Sequence, residues 1–201
     1  MTAFLIRGFI YLLAAIALGE SIRLELELVP DSHPFTEFGY LQQAQSLFLF
    51  ACTALLLLSA FRDETYRELA TCMGLFFLVL LIRENDQPLE LFLPHGSWKF
   101  IVIIPLTVLL VYAWKNRQAV IAQLVDYSRS FAFGVMISGM VVLTFSRLFG
   151  RKSFWVQLMG DDFMRMVKNV AEEGVETLAL GIVFIAVVEF VLFCKRSPRT
   201  T

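Results

Sequence analysis

Three short charged stretches of the chain contain the side chains best suited to chemistry. Each lies at the end of a long apolar run, and together they supply four basic residues, five acids and one histidine. We call this set the outer charged cluster: Arg83, Glu84, Asp86, His95, Lys99, Arg165, Lys168, Glu172, Glu173 and Glu176. Carboxylate oxygens and imidazole nitrogens bind divalent cations, so the cluster is a candidate metal site. No HExxH or ExxH spacing supports this interpretation.

Two other interpretations of the outer charged cluster stay open. Charges near a bilayer are costly unless paired, so its four basic residues could simply neutralise Glu84, Asp86, Glu172 and Glu176. Alternatively, Glu84 or Asp86 acts as a general base, while a phosphate group is held by Arg83, Lys99 and Arg165. The residue types alone do not separate an ion-pair network, an ion or metal site and a catalytic site.

Glu189 is a separate candidate, because it lies inside an apolar run near the end of the chain. An acid within a membrane span is a functional-site candidate by default, since it must face the protein interior or take up a proton. The alternative is an ion pair with Lys195, Arg196 or Arg7, whose long side chains can reach one or two helical turns.

The elements that must position these residues are membrane-spanning helices. The chain is 58% hydrophobic and 17% charged, which is typical of a membrane protein. A helix needs about 20 apolar residues to cross the bilayer. Six runs approach that length, at residues 4–18, 44–61, 69–82, 100–114, 131–149 and 177–194. The sequence therefore predicts a single all-α domain, a polytopic transmembrane helical bundle of about six spans.

An amphipathic helix is predicted to lead into the last span. Asp161, Arg165, Lys168, Glu172 and Glu176 recur at spacings of three and four residues, so they share one helical face. A shorter amphipathic piece, at residues 120–125, precedes the fifth span.

Residues 23–29 show a different pattern. Leucine and glutamate alternate strictly there, which predicts a β-strand, and residues 89–93 form a second short apolar and acidic stretch. The two could pair as a ribbon outside the membrane, or each could lie flat at the interface.

The first apolar run has two interpretations. Arg7, the apolar core and the small residues at 15–17 resemble a signal peptide with its cleavage site. The alternative is a retained first helix that packs through its small residues.

The distribution of basic residues predicts the orientation. With six spans, nine basic and four acidic residues fall on the side of both termini, and eight basic and thirteen acidic residues fall opposite. Because basic residues concentrate in cytoplasmic loops, both termini are expected in the cytoplasm and the charged cluster outside, in a plasma (inner) membrane. The loop from Arg147 to Lys168, with five basic residues, runs against this assignment.

Several classes of protein are disfavoured. The net charge of −1 and the lack of a basic run argue against a nucleic-acid partner. There is no phosphate-binding loop and no nucleophile elbow. Cys52, Cys72 and Cys194 lie in or beside apolar runs without a CxxC pattern, so buried free thiols are expected.

Three functions remain as expectations. The first is a small transport-type protein with a charged extracytoplasmic mouth, through which an ion or solute passes. The second is a membrane-embedded enzyme that acts on a lipid-linked substrate at the outer leaflet. The third is a non-catalytic assembly or signalling subunit, whose partner is another membrane protein or a second copy of the chain and whose outer strand accepts a strand from that partner.

Overall fold

The computed structural model describes residues 2–28, 40–92, 94 and 96–196. Throughout these ranges the regular structure is helical, with no strand, which confirms the predicted all-α class. The helices in chain order are α1 (Thr2–Leu28), α2 (Tyr40–Arg62), α3 (Arg67–Glu84), α4 (Asp86–Glu90), α5 (Trp98–Lys115), α6 (Arg117–Ser128), α7 (Phe131–Phe149), α8 (Lys152–Met159) and α9 (Arg165–Arg196). A 3₁₀ turn, Gly160–Asp162, separates α8 from α9.

Five helices of the described part are long and apolar enough to cross a membrane, namely α1, α2, α5, α7 and α9. They coincide with five of the six predicted spans. The third predicted span is also helical, but α3 is 18 residues long and carries two charged residues at each end. By length and composition α3 therefore falls outside the set of five, although its central 14 residues are uncharged.

The predicted strand at residues 23–29 is wrong over its described part. Residues 23–28 continue α1 as helix, while Val29 lies outside the described residues. Leucine and glutamate are both good helix formers, and the Glu20 carboxylate accepts a hydrogen bond from Arg23 Nε at 2.6 Å, one turn away. In the second stretch, Leu89 and Glu90 end α4, and Leu93 is outside the described residues.

The amphipathic helix that leads into the last span is confirmed. A single helix, α9, runs 32 residues from Arg165 to Arg196 and includes both the charged stretch and the apolar run. Asp161 is the exception, because it lies in the preceding 3₁₀ turn and not on the helix. Residues 120–125 are helical as part of α6, but their apolar residues Ile121, Leu124 and Val125 are exposed.

The chain forms two compact units, each described here by itself. Unit 1 comprises residues 1–45 and 138–185, and unit 2 comprises residues 46–137 and 186–201. In unit 2, α3 packs against α5 and α6, and Pro105 is the buried residue of α5. In unit 1, α9 passes close to α1, where Gly181 lies beside Leu18.

Gly139 sets the closest approach of α7 to α9 in unit 1. A methyl group at this position would lie 2.7 Å from Val183 Cγ2 and 3.0 Å from the Val183 backbone nitrogen. Since backbone cannot move aside as a side chain can, we expect Gly139→Ala to lower the free energy of unfolding by about 1–3 kcal/mol. The matched control is Gly134→Ala on the same helix, where the added methyl group has no neighbour within 4 Å.

Denaturant titration in mixed micelles, followed by far-UV circular dichroism, measures both variants. Gly134→Ala should be neutral or slightly stabilising, since alanine is the better helix former. Equal effects of the two substitutions would show that α7 and α9 do not pack at Gly139.

Candidate functional site

The first turns of α9 bring together the part of the outer charged cluster that belongs to unit 1. Lys168 donates a hydrogen bond to the Glu172 carboxylate one turn later, and both side chains are largely buried. This pair was one of those expected for an ion-pair network. Its favourable spacing of four residues also stabilises the start of the helix.

Glu176 is the most deeply buried acid of the cluster. Its side chain is 7% exposed and forms an ion pair with the Arg147 guanidinium, which is 40% exposed and comes from the last turn of α7. Sequence reasoning counted Arg147 as a loop residue and missed it as a site residue. Arg147 could have been identified from its position at the end of an apolar run, because a charge there needs a partner or water.

A buried amide lies on the other side of this part of α9. Gln45, with no exposed surface, donates from Nε2 to Thr177 Oγ1 at 2.9 Å and to the Glu173 carbonyl oxygen at 3.3 Å. Thr177 in turn donates to the same carbonyl oxygen at 2.8 Å. Among the described residues, the Gln45 Oε1 atom has no hydrogen-bond donor. Unit 1 therefore holds an acceptor in its interior that remains available to a donor.

The remaining cluster residues belong to unit 2 and are more weakly organised. Arg83 Nη1 lies 3.9 Å from the carboxylate of its neighbour Glu84, at the limit of an ion pair. Lys99 places its ammonium group 5.8 Å from the centre of the Trp98 ring. Asp86 begins α4, which follows directly from α3. His95 lies outside the described residues, so the imidazole of the expected site has no described position.

Polar contacts fix the segment on either side of Asp86. Asn85 Oδ1 accepts a hydrogen bond from Ser46 Oγ at 3.1 Å, and the Glu90 carboxylate accepts one from the Gly96 backbone at 2.8 Å. These bonds give Asn85 a structural role between α2 and the end of α3, and they give Glu90 a role in the loop before α5.

The described residues give no support to the divalent cation. Within this part of the chain, no group of three or more His, Cys, Asp or Glu side chains is arranged to hold a metal ion. Pairing accounts for the carboxylates of Glu172 and Glu176 instead.

Glu189 is buried in unit 2, with 6% of its surface exposed. It directly precedes Phe190, whose ring is packed between those of Tyr66 and Tyr127. Lys195 and Arg196, two of the partners expected for it, are exposed at the end of α9. Glu189 is therefore a buried carboxylate on α9.

Sequence reasoning missed a polar contact set between α3 and α6 of unit 2. Tyr66 donates a hydrogen bond to the Asp126 carboxylate. Gln123 bridges to the start of α3, since its Oε1 accepts from the Leu69 backbone at 2.8 Å and its Nε2 donates to Glu68 at 2.6 Å. These bonds cap the start of α3, whose first N–H groups have no partner within the helix.

Tyr127 adds a buried hydroxyl group to the same unit. Its hydroxyl has no hydrogen-bond partner among the described residues. Burial, and after it the nearby Cys194, raises the pKa of Tyr127 above its usual range. The phenol is therefore neutral at physiological pH.

Comparison with known proteins finds no relative of this chain. No protein-family model, curated protein sequence or solved structure matches the chain.

Proposed function

We propose that the chain is a small ion- or solute-pathway protein of the plasma membrane. The proposed path enters at the outer charged cluster and runs along the first turns of α9 in unit 1. With α3 as a sixth span, both termini lie in the cytoplasm. The observation that carries the proposal is Glu176, a buried carboxylate paired with Arg147, beside helices that are apolar and long enough to span a membrane.

The cost of these buried polar groups supports the proposal. A well-packed apolar pair in place of a buried ion pair is often neutral or stabilising, so stability alone does not require Arg147 and Glu176. Ionisable side chains inside membrane spans are expensive, and they mark ion and substrate paths in membrane proteins.

The arrangement of oxygens along α9 supports a cationic species. Glu172, Glu173 and Glu176 recur within little more than one turn, so three acids share this part of α9, two of them paired with Lys168 and Arg147. Gln45 Oε1, buried beside Thr177, offers a further acceptor, for which the described residues supply no donor. Carboxylate and amide oxygens attract cations, so these groups favour a cation or a proton as the species that passes.

Flux measurements in proteoliposomes test the proposal. The purified chain is reconstituted with an entrapped pH dye, or with entrapped dyes for potassium and sodium, and a membrane potential is imposed. We expect Glu176→Gln to reduce the flux at least tenfold, since neutralising the carboxylate removes the attraction for a cation. The matched control is Glu64→Gln, which removes the acid of an exposed ion pair with Arg67.

Glu189→Gln provides the second test, since Glu189 lies 13 residues after Glu176 on the same helix. Loss of flux in this variant would place both acids on the path. Flux that persists in both variants would remove the acids from the mechanism. If the unsubstituted chain passes none of the three ions, the proposed cation path along α9 is overturned.

A further inference from the structure

The segment between α7 and α9 of unit 1 is held firmly against the end of α7. We call residues 150–164, which include α8 and the 3₁₀ turn, the α8 platform. Trp155 is buried and donates from Nε1 to the Phe149 carbonyl oxygen at 2.8 Å. The ring of Phe149 lies 5.1 Å from that of Trp155 and 5.7 Å from that of Phe154. The α8 platform is therefore an ordered surface and not a loose connection.

The α8 platform exposes several large apolar side chains. Phe154, Leu158 and Met164 are exposed large hydrophobic residues, and Leu158 leaves two thirds of its surface uncovered. Exposed side chains of this size are unfavourable in water. Their exposure here indicates contact with another apolar phase.

Basic residues border the same surface. Arg151, Lys152 and Arg165 are exposed, and the Lys152 ammonium lies 6.0 Å from the Phe163 ring centre. Arg151 and Arg165 form no ion pair with a described residue, whereas Arg147 and Lys168 are paired with glutamates. Asp161 and Asp162 are the two acids of the platform. With Arg165, the first residue of α9, three basic residues stand against these two acids, which gives a net charge of +1.

The length of α7 places the α8 platform at the membrane surface. Its 19 residues extend about 28 Å, close to the thickness of the hydrocarbon layer. Arg151 comes two residues after the end of α7, so it reaches the level of the lipid head groups.

We propose that the α8 platform is a binding surface for anionic phospholipids. Phe154, Leu158 and Met164 insert among the acyl chains, while Arg151, Lys152 and Arg165 bind the phosphate and anionic head groups. Apolar residues beside a positive border are the features by which interfacial helices bind anionic bilayers. The arginines suit phosphate because their guanidinium groups donate two hydrogen bonds in one plane. This inference is independent of the proposed pathway, since it concerns lipid bound at the membrane surface and not the passage of ions.

Fluorescence quenching at the platform tests the proposal. In Leu158→Cys, a bimane label reports the lipids next to the platform, because the native cysteines Cys52, Cys72 and Cys194 are buried. The labelled chain is reconstituted into vesicles that contain brominated phosphatidylglycerol or brominated phosphatidylcholine. We expect quenching by the anionic lipid to indicate at least threefold tighter binding, and this preference should weaken with added salt.

The triple substitution R151Q/K152Q/R165Q should bring the ratio of the two lipid affinities close to one. The matched control, K115Q/R117Q/R129Q, removes three exposed basic residues from unit 2 and should leave the ratio at the label unchanged. A ratio of one in the chain with its basic residues intact, or a ratio that survives the triple substitution, overturns the proposal. Weak quenching by both lipids would also overturn it, because a protein partner or a second copy of the chain would then cover the surface.

Discussion

Arg147→Gln is expected to lower the free energy of unfolding by about 3 kcal/mol, the lower end of the range for an uncompensated buried charge. The substitution leaves the Glu176 carboxylate, 7% exposed, without its guanidinium partner in the interior of unit 1. The lower end applies because Arg147 is itself 40% exposed, so water reaches that side of the pair. Denaturant titration in mixed micelles measures the change.

A double-mutant cycle separates the ion pair from other roles of Arg147. Glu176→Gln in the Arg147→Gln background should recover most of the lost stability, because a buried amide costs less than a buried charge. The control cycle uses Arg67 and Glu64, a 3.0 Å pair on the exposed surface of unit 2, and should give a coupling of about 0.2–1 kcal/mol. An equal cost of Arg147→Gln with and without Glu176 would contradict the ion pair.

The long helices could be predicted because the bilayer imposes a simple rule. A run of about 20 apolar residues must be helical, since every backbone polar group needs a partner within the segment. The rule loses force where charges enter the run, as at the two ends of α3. There the helix is predicted correctly. Whether α3 also crosses the membrane depends on the helices around it, which a count of apolar and charged residues does not include.

The error at residues 23–28 has a local cause. A period of two residues indicates a strand only when one face is buried against a partner strand. Here α1 is already formed before Arg23, and extending a helix costs far less than starting a new element. The favourable contact between Glu20 and Arg23 strengthens that extension.

The pairing within the candidate site could not be derived from the sequence. Glu176 was identified as an acid near a span, but its partner Arg147 lies 29 residues earlier on another helix. Gln45 meets Thr177 across 132 residues. From the sequence, any polar residue at a similar depth in the membrane was an equally good partner. Depth does not show which way a side chain points, because it does not fix the rotation of the helix about its axis. The sequence therefore predicted the polar residues and not their contacts.

Phe190→Ala is expected to cost about 3 kcal/mol of unfolding free energy, the lower end of the range for such truncations. The Phe190 ring has no exposed surface and meets the Tyr127 ring edge-on at 4.9 Å and the Tyr66 ring at 6.4 Å. Lipid is as apolar as the protein interior, so the cost comes from the cavity and the lost ring contacts and not from transfer out of water. This is why the lower end of the range applies.

Phe61→Ala is the matched control, because the same truncation removes a ring that is 85% exposed at the end of α2. Lipid or detergent fills the space left by an outward-facing ring, so we expect this variant to stay within about 0.5 kcal/mol of the unsubstituted chain. Phe190→Leu should lie between the two, since leucine refills part of the cavity. Equal costs at positions 61 and 190 would contradict the aromatic core around Phe190.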